Sequence, residues 1–250
     1  MRFRRAVAAG CAAAAVLATL TACGTDELPN DDVPVVGVLV NADRPCGATS
    51  EDVRRQADAV VERGLRDAGF RTVLVDCAGS SRDRYDGDRD YLAERGLALR
   101  FPDREQTRVA IHADQPYART LRTAVTHRVM AAEPLVVSGD VAALPEPTNR
   151  VLVNREVLAF VTDERGAPGA DVLGDPEVSS RAIGERGLLV AMNNRDEHRR
   201  EMSVEISDLG LAGDDMVPAR DVWSGREITS SDGVLRIEVP GGDTALLRIG

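Results

Sequence analysis

The hydrophobic pattern divides the chain into two parts. Between residues 33 and 166, nearly continuous apolar runs of strand length alternate with segments in which apolar residues recur at helical spacing. From residue 167 to residue 250, short β-rich runs alternate with clusters of Gly, Asn and Asp. Continuous apolar runs are typical of parallel strands buried on both faces, and short, closely spaced runs are typical of antiparallel sandwiches. The pattern therefore predicts an α/β part at 33–166 and an all-β part at 167–250.

A βαβ unit is predicted at the start of the α/β part. The apolar runs at 33–40 and 71–76 predict two buried strands. Between them, the Thr-Ser-Glu-Asp sequence at 49–52 is a helix-capping signal, and apolar residues follow at helical spacing until Gly69. Two strands joined by a helix are expected to lie parallel, with a right-handed crossover.

Further elements are predicted along the rest of the chain. The segment 80–90, rich in Asp and Arg, predicts a solvated charged loop. The α/β part continues with a short helix at 91–95, a strand at either 97–101 or 108–111, a helix at 116–132 and a strand at 135–137. In the all-β part, the predicted strands span 181–184, 187–192, 201–206, 217–223, 234–239 and 244–249.

The first 23 residues carry a targeting pattern. Basic residues precede an Ala-rich apolar run at 6–20, which is typical of a secretory signal. The run ends in Leu-Thr-Ala-Cys, which resembles the lipobox of bacterial lipoproteins, so Cys23 is the expected lipid acceptor; ordinary secretion with cleavage near Ala22 is the alternative. Residues 24–32 predict a flexible tether. We expect an exported protein, outside the cytoplasm and held at the cell membrane through its lipid anchor only.

Charge and cysteine content exclude several classes of partner. The formal net charge of −10 provides no broad basic face, so we expect no nucleic acid partner. After residue 23, no run approaches the length of about 18 apolar residues that a membrane-spanning helix requires. Because Cys11 lies in the signal and Cys23 is the lipid acceptor, Cys46 and Cys77 remain in an oxidising compartment, where we expect them to form a disulfide.

The sequence predicts neither a metal nor a cofactor. Its three histidines are scattered, and it contains no zinc-protease, phosphate-loop, dinucleotide-binding or serine-hydrolase motif. The alternation Asp86, Asp88, Asp90 is a weak candidate for a calcium loop, since Tyr91 replaces the glycine at position six and Leu97 replaces the glutamate at position twelve.

Several segments resemble glycoside hydrolase family 27, the α-galactosidases and α-N-acetylgalactosaminidases. The sequence PLVVSGD at 134–140 resembles the last barrel strand of that family, and NREVLA at 154–159 resembles the signature of the helix that follows. GAPG at 166–169 resembles the exit from the barrel, and DVWSG at 221–225 is similar to a turn of the C-terminal domain.

The N-terminal part also resembles this family. Pro34, Gly37 and Cys46 fall at the spacing of the family's opening motif, and 51–77 is similar to its first helix and second strand. Together the matches cover about two thirds of the chain after residue 23. The resemblance implies a (β/α)₈-type barrel, truncated here, followed by a C-terminal antiparallel β-sandwich.

The resemblance also implies candidate site residues. It supports a disulfide between Cys46 and Cys77, and it places Asp76 in a segment that binds substrate in the family, where a carboxylate would accept a sugar hydroxyl. A cap for a helix or turn is the alternative role for Asp76. Two aromatic positions of the family's opening motif are occupied by Val38 and by Val40 or Asn41, so the aromatic wall of the sugar pocket is missing.

The catalytic residues cannot be assigned from the sequence. A (β/α)₈ barrel takes about 250 residues, whereas 33–166 provides about 130, enough for four or five strands. The missing part falls between about residues 100 and 115, where the family places its nucleophile and its acid/base Asp. A retaining glycosidase needs two carboxylates about 5–5.5 Å apart at rigid positions. Asp86, in Arg-Tyr-Asp, follows no apolar strand and is a poor candidate for the nucleophile.

Three functions are compatible with these observations. The leading hypothesis is an α-galactosidase-like envelope lipoprotein without the catalytic carboxylate pair, acting as an interaction module or binding a galactoside or another glycan. The second is an active retaining α-galactosidase that hydrolyses terminal α-galactosides, alone or completed by another chain. The third is a structural envelope lipoprotein. No oligomeric state is predicted.

Overall fold

The computed structural model describes residues 36–40, 46–77, 79–102, 110–113, 117–163, 167–211 and 216–250. These residues belong to one compact unit, which spans Asp31–Gly250. The predicted signal peptide at 1–23 with its lipid acceptor Cys23, and the tether at 24–32, lie outside them. No helix within the described ranges has the length and apolar character needed to cross a membrane.

Five strands and six helices make up the described portion of the α/β part. The strands are β1 (Val36–Val40), β2 (Thr72–Val75), β3 (Ala98–Arg100), β4 (Ile111–His112) and β5 (Leu135–Ser138). The helices are α1 (Ser50–Glu62), α2 (Leu65–Ala68), α3 (Asp86–Ala93), α4 (Ala118–Ala131), α5 (Glu146–Leu152) and α6 (Arg155–Val161). Strands therefore form near both alternative positions, 97–101 and 108–111.

The five strands form one parallel sheet in the order β3-β2-β1-β5-β4. The first strand pairs with β2 on one side and with the last strand, β5, on the other, as the first and last strands of a closed barrel do. Among the described residues, β3 and β4 are the two edges and no strand joins them. The sheet is therefore an open portion of a barrel, as the number of residues predicts.

The two faces of this sheet are covered differently. On one face, alternate residues such as Val38, Val73 and Val137 belong to a large core that also contains the buried residues of the helices. On the other face, Leu39, Leu74 and Val136 form a small separate cluster with Ala110. In the described part of the chain, the helices therefore pack against one face, which corresponds to the outside of a barrel.

The opening helix begins as predicted and ends earlier. Thr49 and Asp52 form a reciprocal capping box at the start of α1. The helix predicted to continue to Gly69 is instead split into α1 and α2, because Gly64 adopts a left-handed conformation with φ of 75°. Glycine reaches this conformation without the steric cost that other residues pay.

The prediction of a solvated loop at 80–90 is wrong. Residues Gly79–Tyr85 form a 3₁₀ helix, and α3 begins at Asp86. Tyr85 is fully buried and its hydroxyl donates a hydrogen bond of 2.7 Å to the carbonyl oxygen of Ala48. Asp88 is also buried and forms an ion pair of 2.7 Å with Arg54 of α1. These long-range contacts order a segment whose local composition is typical of a loop.

Eight antiparallel strands follow. They are β6 (Ala170–Val172), β7 (Asp175–Ile183), β8 (Gly187–Asn194), β9 (Arg200–Glu205), β10 (Pro218–Asp221), β11 (Glu227–Thr229), β12 (Val234–Val239) and β13 (Asp243–Ile249). Six of them form a sheet in the order β11-β10-β13-β8-β7-β6, and β12 pairs with β9. The sequence did not predict β6 and β11, which are three residues long and lie at the edges of the larger sheet.

The six-stranded sheet connects the two parts of the fold. Leu189, Ala191 and Leu246 on one face belong to the same core as the helices. Val190 and Leu247 on the opposite face belong to a second core, shared with β9 and β12. The fold is therefore layered: parallel sheet, helices, six-stranded sheet and the β9–β12 pair.

Arg181, on β7, occupies the junction between the helices and the six-stranded sheet. It is 2% exposed. Its guanidinium donates to the carbonyl oxygens of Val129, in the last turn of α4, and of Phe160, at the end of α6, the latter at 2.9 Å. It also donates to the carbonyl oxygens of Ala167 at 3.3 Å and Asp163 at 3.5 Å. Burial lowers the pKa of this guanidinium, and the carbonyl dipoles at the helix ends stabilise its charge.

We predict that Arg181→Met lowers the free energy of unfolding by about 2–4 kcal/mol, because carbonyl oxygens of two helix ends lose their buried donor. Urea unfolding followed by circular dichroism measures this change. Arg236→Met is the matched control, since Arg236 is exposed on β12. The control is expected to change stability by less than about 0.5 kcal/mol. Equal stability of the two variants would contradict the role given to Arg181.

Candidate functional site

The carboxyl ends of the parallel strands bring polar side chains onto one face of the sheet. Strand pairing aligns Arg100 with Leu74, Leu74 with Leu39, Leu39 with Ser138, and Ser138 with His112. Residues paired in adjacent strands share a face. These five residues therefore form one row across the whole sheet, on the face that the described helices leave uncovered, and we call this row with Asp76 the sheet-edge site.

Asp76 follows β2 directly and lies two residues beyond Leu74, so it belongs to the same face as the row. Its side chain is half-buried and has no hydrogen-bonding or ionic partner among the residues that the structure describes. Its backbone carbonyl accepts a hydrogen bond of 2.6 Å from the backbone of Cys46. The carboxylate is thus held by its backbone and remains available to a ligand.

A disulfide joins Cys46 to Cys77 beside this carboxylate. Cys77 is buried, and Cys46 adopts a positive φ of 57°. The covalent bond and the backbone hydrogen bond connect the segment after β1 to the end of β2. The predicted pairing is present, and it fixes the backbone on both sides of Asp76.

The row contains a serine–histidine contact that sequence reasoning missed. The hydroxyl of Ser138 lies 3.1 Å from Nδ1 of His112. Ser138 is 1% exposed, whereas His112 is exposed. The two residues are 26 positions apart on strands that pair only in the folded sheet, and β4 contains two residues, so the sequence carries no local signal for this contact.

A second carboxylate at the end of a strand has a structural role. Asp140 follows β5, and its side chain caps the short 3₁₀ helix Val141–Ala143 by accepting from the backbone of Ala142 at 3.1 Å. The same oxygen accepts a hydrogen bond of 3.4 Å from the amide of Gln56 on α1. Asp140 therefore caps a helix, which is the alternative role that the sequence allowed for Asp76.

The other carboxylates considered in the sequence lie away from this edge. Asp86 is the first residue of α3, is exposed and forms an ion pair of 3.4 Å with Arg89. Because Asp86, Asp88 and Asp90 lie on a helix, successive members point to different sides of it. In the described segments, no group of three or more His, Cys, Asp or Glu residues is arranged to hold a metal ion.

The chemistry of the sheet-edge site suits a ligand rich in hydroxyl groups. Asp76 supplies acceptors, and the exposed imidazole of His112, which contacts the buried hydroxyl of Ser138, can donate or accept. Leu39 and Leu74 lie between these polar groups in the row and are themselves buried in a small apolar cluster.

Sequence comparison connects the chain to known enzymes. Residues 174–249 match the family described as the α-galactosidase C-terminal β-sandwich domain. The chain is 32% identical over 97 residues to an α-galactosidase of Oryza sativa subsp. japonica. The aligned segment covers 38% of this chain and 23% of the rice protein. It is 29% identical over 119 residues to an α-galactosidase of Coffea arabica, covering 47% and 32% of the two chains. These matches span about a quarter to a third of the plant proteins' lengths.

Solved structures share the fold. α-Galactosidase I from Mortierella vinacea superposes with a TM-score of 0.65 at 13% identity, over 87% of this chain and 97% of that chain. An α-galactosidase from Saccharomyces cerevisiae, solved with raffinose, superposes with a TM-score of 0.66 at 9% identity, over 88% and 98% of the two chains. At these identities the superpositions establish the fold alone.

We predict that replacing both Cys46 and Cys77 by Ala lowers the free energy of unfolding by about 3–4 kcal/mol, because the disulfide closes a loop of about 30 residues in the unfolded chain. Urea unfolding of the non-reduced proteins measures the difference. Mass spectrometry of the non-reduced wild type is the companion measurement. Two free thiols there would contradict the disulfide.

Proposed function

Because the chain is a short relative of the α-galactosidases of glycoside hydrolase family 27, with a truncated barrel portion and the family's C-terminal β-sandwich, we propose that it binds a glycan without hydrolysing it. The sheet-edge site is the proposed binding surface, and Asp76 is the proposed acceptor for a sugar hydroxyl. The ligand is a galactoside or another glycan with a similar pattern of hydroxyl groups.

One observation carries this proposal: the parallel sheet is open, and its described strand ends offer one unpartnered carboxylate. Retaining hydrolysis requires a nucleophile and an acid/base about 5–5.5 Å apart, both held rigidly. Asp76 can supply one of these two carboxylates. Asp140, the other carboxylate at a described strand end, is engaged as a helix cap. Binding a sugar requires hydrogen-bonding groups but no such pair.

The family relationship supports a glycan as the ligand. The yeast relative with the same fold was solved with raffinose. In this chain, the part of the barrel that contains β1, β2 and β5 is present, together with Asp76 at the end of β2. Leu39, Leu74, Ser138 and Asp76 of the sheet-edge site lie on or directly after these strands. Sugar binding can therefore persist when the middle strands of a barrel are missing.

An active α-galactosidase is the second candidate, and the sequence contains one observation in its favour. In the sequence, Asp103 and Asp114 come three and two residues after the last residues of β3 and β4. A barrel places its reacting groups after the ends of its strands. Both residues lie outside the described ranges. Substitution of these two positions therefore belongs in the test of hydrolysis.

We predict no turnover of a chromogenic α-galactoside above background between about pH 4 and pH 8, the range in which a pair of catalytic carboxylates would operate.

In the same protein, Asp76→Ala is expected to weaken galactose binding about tenfold or more, because a charge-assisted hydrogen bond is lost. Release of the chromophore and isothermal titration calorimetry measure the two effects.

Asp86→Ala is the matched control for this test. Asp86 is exposed on α3 and away from the strand ends, so its loss should leave galactose binding unchanged. Hydrolysis that disappears in Asp103→Asn or Asp114→Asn would establish the active enzyme instead. Unchanged galactose binding in Asp76→Ala would remove Asp76 from the proposed site.

We also propose that the protein is a lipoprotein of the cell envelope, exported and anchored through Cys23. The lipobox-like sequence at 20–23 and the tether at 24–32 support this location. The glycan-binding surface would then lie outside the cytoplasm, where extracellular or envelope glycans are accessible.

We predict that the mature protein begins at Cys23, carries lipid and sediments with membranes. Cys23→Ser is expected to leave the precursor unprocessed or to release the protein, since the thiol that accepts the lipid is lost. Membrane fractionation and intact-mass measurement detect both outcomes. A wild-type protein found entirely in the medium with a free N-terminus would exclude the anchor.

A further inference from the structure

A cavity lies where helix α4 meets the sandwich. Its volume is about 320 Å³, at the lower end of the range of about 300–1,000 Å³ that is typical of small-molecule sites. It is formed by α4, the turn after β10, the end of β12 and the start of β13. The residues that line it include Trp223, Ser224, Arg226, Glu238 and Pro240. We call this space the Trp223 cavity.

Trp223 is held firmly in the wall of this cavity. Its indole Nε1 donates a hydrogen bond of 3.0 Å to the hydroxyl of Thr126 on α4. Its backbone nitrogen donates to the carboxylate of Asp221 at 3.2 Å. Trp223 is half-buried and lines the cavity, and the polar end of its indole is satisfied within the protein. An ordered aromatic ring of this kind offers a rigid apolar surface to a ligand.

Two carboxylates in the same wall already have partners. Asp243 accepts from the guanidinium of Arg122 at 2.8 Å in a bidentate pair. Asp221 accepts from the hydroxyl of Ser224 at 2.5 Å as well as from the backbone of Trp223. These bonds order the cavity before any ligand enters, which reduces the entropic cost of binding.

Two polar groups at the cavity remain accessible. Arg226 is exposed, and its guanidinium has no hydrogen-bonding or ionic partner in the described portion of the chain. Glu238 is also exposed and forms a loose ion pair of 3.5 Å with Arg199. The cavity therefore presents a donor, an acceptor and an aromatic surface together.

We propose that the Trp223 cavity binds a neutral hexose ring of a glycan, as a second site separate from the sheet-edge site. The C–H face of the ring packs on the indole, Arg226 donates to ring hydroxyl oxygens, and Glu238 accepts from a hydroxyl group. The carboxylates of Asp221, Asp243 and Glu238 are balanced by the guanidinium groups of Arg122, Arg199 and Arg226, so the cavity suits a neutral ligand better than a charged one. An apolar ligand would leave Arg226 without a partner.

The test uses the fluorescence of Trp223, which is the only tryptophan in the chain. The full-length protein is titrated with galactose, with raffinose and with galacturonate. We expect a saturable change with galactose or raffinose, and a dissociation constant about tenfold higher in Arg226→Ala because a charge-assisted hydrogen bond is lost. Glu238→Gln should also weaken binding, and Arg89→Ala, an exposed arginine on α3, is the matched control.

Each other outcome overturns the proposal. No saturable change with galactose or raffinose removes the cavity as a hexose site. If the dissociation constant is unaltered in both Arg226→Ala and Glu238→Gln, the fluorescence change does not arise from binding to these two side chains. A response to galacturonate alone shows that the ligand is anionic. The fluorescence signal reports on the Trp223 cavity because the chain's single tryptophan lies there, and Asp76→Ala should leave this signal unchanged while it weakens binding at the sheet-edge site.

Discussion

The buried guanidinium of Arg181 is the interaction on which the arrangement of the layers depends. It lies on the six-stranded sheet and donates to carbonyl oxygens at the ends of α4 and α6. Helix ends leave carbonyl groups without intrahelical partners, and burying such groups unpaired is costly. One side chain therefore satisfies two helix ends and sets their position relative to the sandwich.

The sandwich supports one face of helix α4. This helix packs against its neighbours α5 and α6 and also against β7, β8 and β13 of the six-stranded sheet. Arg122 and Thr126 of α4 bond to Asp243 and Trp223 of the sandwich. The core of the α/β part continues into that sheet through Leu189 and Leu246. The two parts thus share one hydrophobic core.

The sequence predicts the individual strands and helices better than it predicts the contacts between distant segments. Continuous apolar runs identified β1, β2 and β5, and capping chemistry identified the start of α1. The helical segment after residue 79 was missed, since its order depends on burial of Tyr85 and Asp88 by distant residues. Asp76 could be placed at a strand end from the local pattern. The contact between Ser138 and His112 could not, because it depends on pairing between β4 and β5.

An open sheet has two edge strands with unpaired backbone N–H and C=O groups, whereas a closed barrel has no edge. The edge strands β3 and β4 contain three and two residues, and short edges offer few unpaired groups to another chain. On the inner face, β1 and β2 lie close together at Gly37, where a Cβ atom would be 2.5 Å from Leu74 and 2.8 Å from the carbonyl oxygen of Thr72. Because this contact lies near the start of both strands, a larger residue at position 37 would disturb their pairing there. Asp76 follows β2 directly and lies beside the disulfide between Cys46 and Cys77, so the carboxylate proposed to bind a sugar is positioned by strands that the described sheet contains.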